Sequence, residues 1–273
     1  MKILCDLHTH SNNSFDAENS VFEMCQKAMD IGIQTIAITD HMETPEISLK
    51  EKSQFGDLMK QINKSVKDVD ECKVKFKNQL QILKGVELGE PMHKPELTKE
   101  AMSIDDYDFV LASIHNLLNE DDFYFLEFAE DNVDCLLTKY FDELLDTAQN
   151  ADFDSLAHLT YPLRYIAERT NIKVDLNQYS IAIDNIFKAL ISRGKALEIN
   201  VSGLFKQIGE TLPGENLIKR FKDLGGKYIT VGSDAHNIDN VGKGIDVGIE
   251  IAKKCGFDYV TIFENRKPKL IEI

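Results

Sequence analysis

Short apolar runs alternate along the chain with stretches whose apolar positions recur every three to four residues, the pattern of strands alternating with helices. Runs at residues 2–7, 35–39, 80–86, 109–113, 155–157, 196–199, 228–231 and 259–263 predict strands. Between them a capping box at Ser20 and Glu23 opens a helix that Gly32 closes, a lysine-rich helix runs from about residue 50 to 73, and a short one lies near Lys99. Further helices are predicted over 133–150, 182–193, 216–224 and 246–255; in the first of these Leu136, Leu137, Tyr140, Phe141, Leu144 and Leu145 share a face. No Pro/Ser/Gly linker, repeat or low-complexity tract interrupts the alternation, which favours one domain over residues 1–273.

Repeated strand–helix alternation implies parallel strands, arranged as an open doubly wound sheet or as a closed TIM-like (β/α) barrel. The open dinucleotide-binding version calls for G-x-G-x-x-G after the first strand, whereas this chain has His and Asn there, so the α/β barrel leads. The 273 residues, 43% apolar, suffice for a full core. Acidic side chains outnumber basic ones by 46 to 31, and the net charge of −15 disfavours nucleic acid and anionic membranes as partners. No apolar run reaches the ~18 residues of a membrane span, and the start has no signal-peptide layout, so a cytoplasmic location is expected. The five cysteines form no C-x-x-C pair, which leaves histidine and carboxylate as the ligands for any metal.

Six of the seven histidines follow predicted strand ends, together with three acids. His8 and His10 follow the first strand, Asp40 and His41 the second, Glu87 the third, His115 the fourth, His158 the fifth, and Asp234 with His236 the seventh. A parallel barrel delivers every strand to one rim, where these groups would converge. Any one of His41, His115 or His158 alone is more often an ordinary hydrogen-bonded histidine, but six together would be costly to bury without a compensating charge. A histidine and carboxylate site suits zinc, manganese or iron. His93, between Pro91 and Pro95, reads as a surface residue.

The segments DLHTH (6–10), ITDH (38–41), GVE (85–87), SIH (113–115), AHLTYPLRY (157–165), LEINVSG (197–203) and GSDAH (232–236) span almost the whole chain. As an ordered set they resemble the polymerase and histidinol phosphatase (PHP) family, in its histidinol-phosphatase branch. The resemblance implies a distorted (β/α)7 barrel and two to three divalent ions. It implies a first ion held by His8, His10, Glu87 and Asp234, a second by Glu87, His115 and His158, and a third by Asp16, His41 and His236. Asp16 stands where relatives often carry histidine. Asp6 and Asp40 are expected to accept ring N–H groups of neighbouring ligands and fix their orientation.

The implied activity is hydrolysis of a phosphomonoester, L-histidinol phosphate of histidine biosynthesis, by a hydroxide bridging the ions. Arg164, expected in the loop beyond the fifth strand, and His41 would bind phosphate; a metal-bound water, Asp40 or His236 would protonate the leaving alkoxide. The family pattern often has Asp two residues after the fifth-strand histidine, where this chain has Thr160, and no carboxylate stands out to receive the substrate's ammonium. The rival readings are a relative acting on nucleotides, oligonucleotides or phosphotyrosine, a metal-dependent amidohydrolase, and a metal-binding regulatory protein without turnover. A monomer or small homo-oligomer is expected.

Overall fold

A computed structural model describes residues 4–43 and 51–273. The first residues of the predicted strand at 2–7 and residue 50 of the lysine-rich helix lie outside them. In chain order the elements are β1 (Cys5–Asp6), α1 (Val21–Asp30), β2 (Thr35–Ile38), β3 (His41–Glu43), α2 (Glu51–Lys75), β4 (Gln81–Gly89), α3 (Pro95–Met102), β5 (Phe109–Ser113), α4 (Val133–Asn150) and β6 (Ser155–Leu156). They continue as α5 (Tyr161–Arg169), α6 (Ser180–Arg193), β7 (Ala196–Asn200), α7 (Glu215–Asp223), β8 (Ile229–Gly232), α8 (Ile245–Lys254), β9 (Tyr259–Glu264) and β10 (Lys267–Glu272).

Seven strands run parallel in the order β1-β2-β4-β5-β6-β7-β8, and β3 adds beside the second half of β4. The first and last of them meet: Leu7 N–H donates to Val231 O at 3.0 Å, Asp234 N–H to His8 O at 2.8 Å and His10 N–H to Ala235 O at 2.8 Å. This closes the expected seven-stranded barrel as a single domain. All residues of β2, β5, β7 and β8 are buried, as strands covered on both faces must be, and this accounts for their solid apolar runs.

The local signals act as read at several boundaries. Ser20 caps α1, its Oγ accepting from Glu23 N–H while Ser20 N–H donates to the Glu23 carboxylate at 2.8 Å. Gly194 ends α6 at φ +65°, a conformation that carries no Cβ penalty for glycine. Helix α4 buries Leu137, Tyr140, Phe141 and Leu144, each worth about 1.5–3 kcal/mol against exposure, and packs on α6; Leu136 and Leu145 flank that face.

Two expectations are corrected and three elements escaped the sequence reading. The predicted strand at 259–263 is β9, which stands outside the barrel and pairs antiparallel with β10, a strand too exposed to show an apolar pattern. β3 has three residues, too few for periodicity. Residues 161–169 are helical, because Pro162 lies in the first turn, where its missing N–H costs no hydrogen bond. Arg164 therefore sits on a helix, not in a loop. His93 is not a surface residue: its side chain is 9% exposed, and its Nε2 lies 2.7 Å from Glu143 on α4.

Candidate metal centre

The strands bring eight of the nine expected ligand groups to one rim, where Asp16 joins them from a loop. His8 and His10 leave β1, His41 opens β3, His115 follows β5, His158 follows β6, and Asp234 and His236 follow β8; Asp16 comes from the loop before α1. Glu87 differs from expectation in lying inside β4, two residues before its end, so it rises through the floor of the cluster.

The two oxygens of Glu87 face different groups of imidazoles. Oε2 lies 3.1 Å from His41 Nδ1, 3.3 Å from His8 Nε2 and 3.5 Å from His10 Nε2, while Oε1 lies 2.9 Å from His158 Nε2 and 3.3 Å from His115 Nε2. Asp234 Oδ1 closes the first pair, 3.7 Å from His8 Nε2 and 3.5 Å from His10 Nε2. Asp16 spans two further histidines, with His41 Nε2 at 3.6 Å and His236 Nε2 at 3.1 Å. The rings of His10 and His41, and of His10 and His236, stack at 4.2 and 4.3 Å, which joins the three groups into one cluster.

Its charge is unevenly distributed. Burial opposes the charge of Glu87, but His8, His115 and His41 hold its carboxyl well below the usual range; Asp234, also buried, is held down by His8 and His10. Burial likewise works against protonating His8, and Glu198, Glu87 and Asp234 outweigh it. His10, buried and facing His41 and His236, moves the opposite way. Ionised carboxylates thus sit among imidazoles of which His8, His41, His115 and His236 are, against burial, pushed up by those carboxylates, and His10 and His158 are pushed down, chiefly by burial. Cations would compete with protons for these positions.

The site's fit to divalent metal can be judged from its unsatisfied atoms. Among the described residues His8 Nε2, His10 Nε2, His41 Nδ1 and Glu87 Oε2 are buried without hydrogen-bond partners, although buried polar atoms are normally paired. Donor atoms of His8, His10 and Glu87 converge within 4.8 Å of one another, as do those of Glu87, His115 and His158, and of His10, His41 and His236. Imidazole and carboxylate without thiolate is a donor set for divalent zinc, manganese or iron, and these residues fit such ions.

The orientation of the ligand candidates depends on side chains the sequence reading passed over. Glu198, on β7 and fully buried, accepts from His8 Nδ1 at 2.8 Å, from His158 N–H at 2.9 Å and from Asn200 Nδ2 at 3.2 Å. His8 then carries its proton on Nδ1 and turns Nε2 toward Glu87. Gly232 makes room for this: a Cβ there would sit 2.3 Å from His8 Cβ and 2.7 Å from Glu198 Oε1. Glu43 lies 3.1 Å from His115 Nδ1, and buried Glu90 accepts from His115 N–H. A glutamate within the apolar run of β7 was the available sign of Glu198, since a buried charge needs a partner. His158 and Asp234 have φ of +21° and +56°, values uncommon outside glycine that turn both side chains at their strand ends.

The roles expected for Asp6 and Asp40 are not those observed. Asp6 accepts from Ser233 N–H at 2.9 Å, Ser233 Oγ at 2.6 Å and Gly242 N–H at 2.8 Å. Asp40 accepts from Ser11 N–H at 2.6 Å and from the hydroxyls of Ser11, Ser14 and Ser65 at 2.8, 3.0 and 2.5 Å. Neither makes a hydrogen bond to an imidazole; Asp40 reaches His10 only through Ser14, whose Oγ is 3.3 Å from His10 Nδ1. Buried and saturated by four donors, Asp40 braces loops and is in no position to exchange a proton with substrate.

Arg164 does reach the rim. Its Nη1 is 3.6 Å from Asp234 Oδ2, its guanidinium stacks 4.2 Å above the Tyr161 ring, and Nε has no partner among the described residues. It borders two arms of an open cleft. One, about 490 Å³, is lined by Phe15, Asp16, Asp122, Phe125 and Tyr161; the other, about 570 Å³, by Ser202, Phe205, Lys206 and Lys243.

Comparisons with known proteins agree with this geometry. The PHP domain model matches residues 6–202. A probable histidinol-phosphatase of Clostridium acetobutylicum is 30% identical over 97% of this chain and 98% of its own, and one of Thermotoga maritima is 29% identical over 95% of each. The crystal structure of histidinol phosphate phosphatase from Lactococcus lactis, complexed with zinc, L-histidinol and phosphate, superposes with a TM-score of 0.79 at 24% identity, covering 98% of this chain and 100% of that one. With the family model matched over most of its length and these relatives aligned nearly end to end, the chain belongs to the PHP domain family, in its histidinol-phosphatase branch.

Proposed function

We propose that this phosphatase hydrolyses L-histidinol phosphate with divalent ions held at the rim cluster. His8, His10, Glu87 and Asp234 would hold one ion, Glu87, His115 and His158 a second, and Asp16, His41 and His236 a third; zinc, manganese and iron all suit these donors. Such ions supply Lewis acidity toward a phosphoryl oxygen and make water acidic enough to lose a proton near neutral pH. The observation that carries the reading is Glu87: one buried carboxylate whose two oxygens face separate sets of imidazoles, His8, His10 and His41 on one side and His115 and His158 on the other, at 2.9–3.5 Å.

Arg164 offers guanidinium N–H groups to the phosphoryl oxygens in a planar fork, and His41 lies beside it on the cleft wall. His236, 29% exposed, donates Nδ1–H to Asp234 O at 2.9 Å, which turns Nε2 toward Asp16 and the third ion and leaves neither ring nitrogen to protonate the leaving alkoxide. The small cleft favours a compact phosphomonoester, and the surrounding charge of −15 repels polyanions.

The test is phosphate release from histidinol phosphate, nucleoside monophosphates, short oligonucleotides and phosphotyrosine, before and after chelation and readdition of zinc or manganese. Histidinol phosphate should lead in kcat/KM by roughly 100-fold, with activity lost on chelation and restored by metal. A lead for nucleotides or oligonucleotides, or indifference to chelation, would refute the proposal.

A further inference from the structure

The cleft contains a carboxylate that the metal cluster does not use. Residues 116–132 cross the mouth, pinned by Phe123, which is fully buried, packs edge-on against Tyr140 at 5.4 Å and donates its N–H to His115 O at 2.9 Å. This anchor sets Asp122 on the wall of the acidic arm, with Tyr124 and Phe125 exposed beside it. The other acids lining that arm are engaged by the cluster: Asp16 by His41 and His236, Glu43 by His115, Asp234 by His8, His10 and Arg164. Asp122 accepts from Tyr124 N–H at 2.5 Å and from Tyr161 OH at 3.4 Å, and makes no ion pair among the described residues. Arg169, which stacks on Tyr124 and Tyr165 at 5.1 Å, donates instead to Leu126 O.

The direction of the hydrogen bonds links this carboxylate to the phosphate end of the cleft. Arg164 Nη2 donates to Tyr165 OH at 2.6 Å, Tyr165 OH to Tyr161 OH at 3.0 Å, and Tyr161 OH to Asp122. An arginine can only donate and a carboxylate only accept, so both phenols are forced to point the same way. Two phenols thus separate a cation from an anion along one wall. A ligand complementary to that wall carries phosphate at one end and a positive charge a few atoms away.

We infer that Asp122 is the specificity residue for the substrate's ammonium group, selecting phosphomonoesters of amino alcohols. This rests on the phosphatase reading above and names the recognition it leaves open. A half-buried carboxylate left without its cation penalises a substrate that lacks one, which is how polar sites discriminate strongly.

The experiment compares kcat/KM for L-histidinol phosphate and its deamino analogue, 3-(imidazol-4-yl)propyl phosphate, and for O-phosphoethanolamine and ethyl phosphate. In Asp122→Asn the amino preference within each pair should fall about 10- to 100-fold, through weaker turnover of the amino substrates and no loss, or a gain, with the deamino ones. L-Histidinol binding measured by calorimetry should weaken tenfold or more. Glu168→Gln, on the opposite arm, should preserve both preferences. An unchanged preference in Asp122→Asn, or its collapse in Glu168→Gln alone, overturns the inference. If wild type favours a substrate other than histidinol phosphate, the substrate reading falls, and the imidazole-free pair still decides the role of Asp122.

Discussion

The two ends of the same strands handle charge in opposite ways. At the amino ends, Lys84 pairs with Asp70 and Asp105 at 2.9 Å each, Lys73 with Asp108 at 2.7 Å, and Arg266, from the β9–β10 turn, with Asp154 at 2.6 Å and Asp152 at 2.9 Å. Each cation there meets an anion. At the carboxyl ends the buried groups are imidazoles and carboxylates, several with an atom left unpaired at a cost of about 1–3 kcal/mol each. Burial alone does not separate the two rims, since both hold polar groups at low exposure. The difference lies in completeness: one end is closed upon itself, the other is held open for a ligand, the division expected of a barrel whose chemistry sits at its carboxyl face.

The sharpest break in that comparison is Glu87→Gln. Replacing the shared carboxylate should lower phosphate release roughly 10³-fold or more and reduce metal content by elemental analysis, while circular dichroism stays native. Near-normal turnover with full metal content would dismiss Glu87 as the common ligand.

Glu198→Ala should do less. It leaves His8 Nδ1 and His158 N–H without their acceptor, and metal affinity, titrated by calorimetry, should drop about 10- to 100-fold. An unaltered affinity would mean that the rim keeps its geometry without this brace.

At the amino end the same kind of change should touch stability alone. Arg266→Ala strands the buried Asp154 carboxylate and should cost about 2 kcal/mol in urea unfolding, with kcat per folded molecule unchanged. Asp108 gives the smallest and most specific effect. Burial pushes its carboxyl up, but Lys73 and the main-chain N–H groups of Lys84 and Asn265 outweigh this and hold it below its ordinary value. A carboxyl lowered in the folded state stabilises above its unfolded value of about 3.9. Asp108→Asn should therefore lose stability at neutral pH, and its deficit should shrink below about pH 4. A deficit constant with pH would assign the loss to packing.

Much of the architecture and the cluster was legible because both follow rules of spacing. The barrel strands are buried on both faces and so are apolar without interruption, and histidines placed at successive strand ends must share a rim whatever the details between. Residues whose roles come from contacts distant in sequence were less visible. Asp40 sits next to a ligand candidate, yet its carboxylate turns to Ser11, Ser14 and Ser65. Glu198, 190 residues from His8, is its hydrogen-bond partner. Helix α5 was hidden by a proline that signals a break inside a helix and none at its start.

From the sequence alone came most of the order of elements, the parallel barrel and eight of the nine groups of the cluster, because periodicity and strand-end placement are properties of neighbouring residues; Asp16, in a loop, came only from the family resemblance. Tertiary structure alone decided that Glu87 presents one oxygen to His8, His10 and His41 and the other to His115 and His158, that Glu198 orients His8, and that two tyrosines of α5 join Arg164 to Asp122. Those relations depend on which side chains face each other after the ring of strands closes, and no local pattern encodes a direction across that ring.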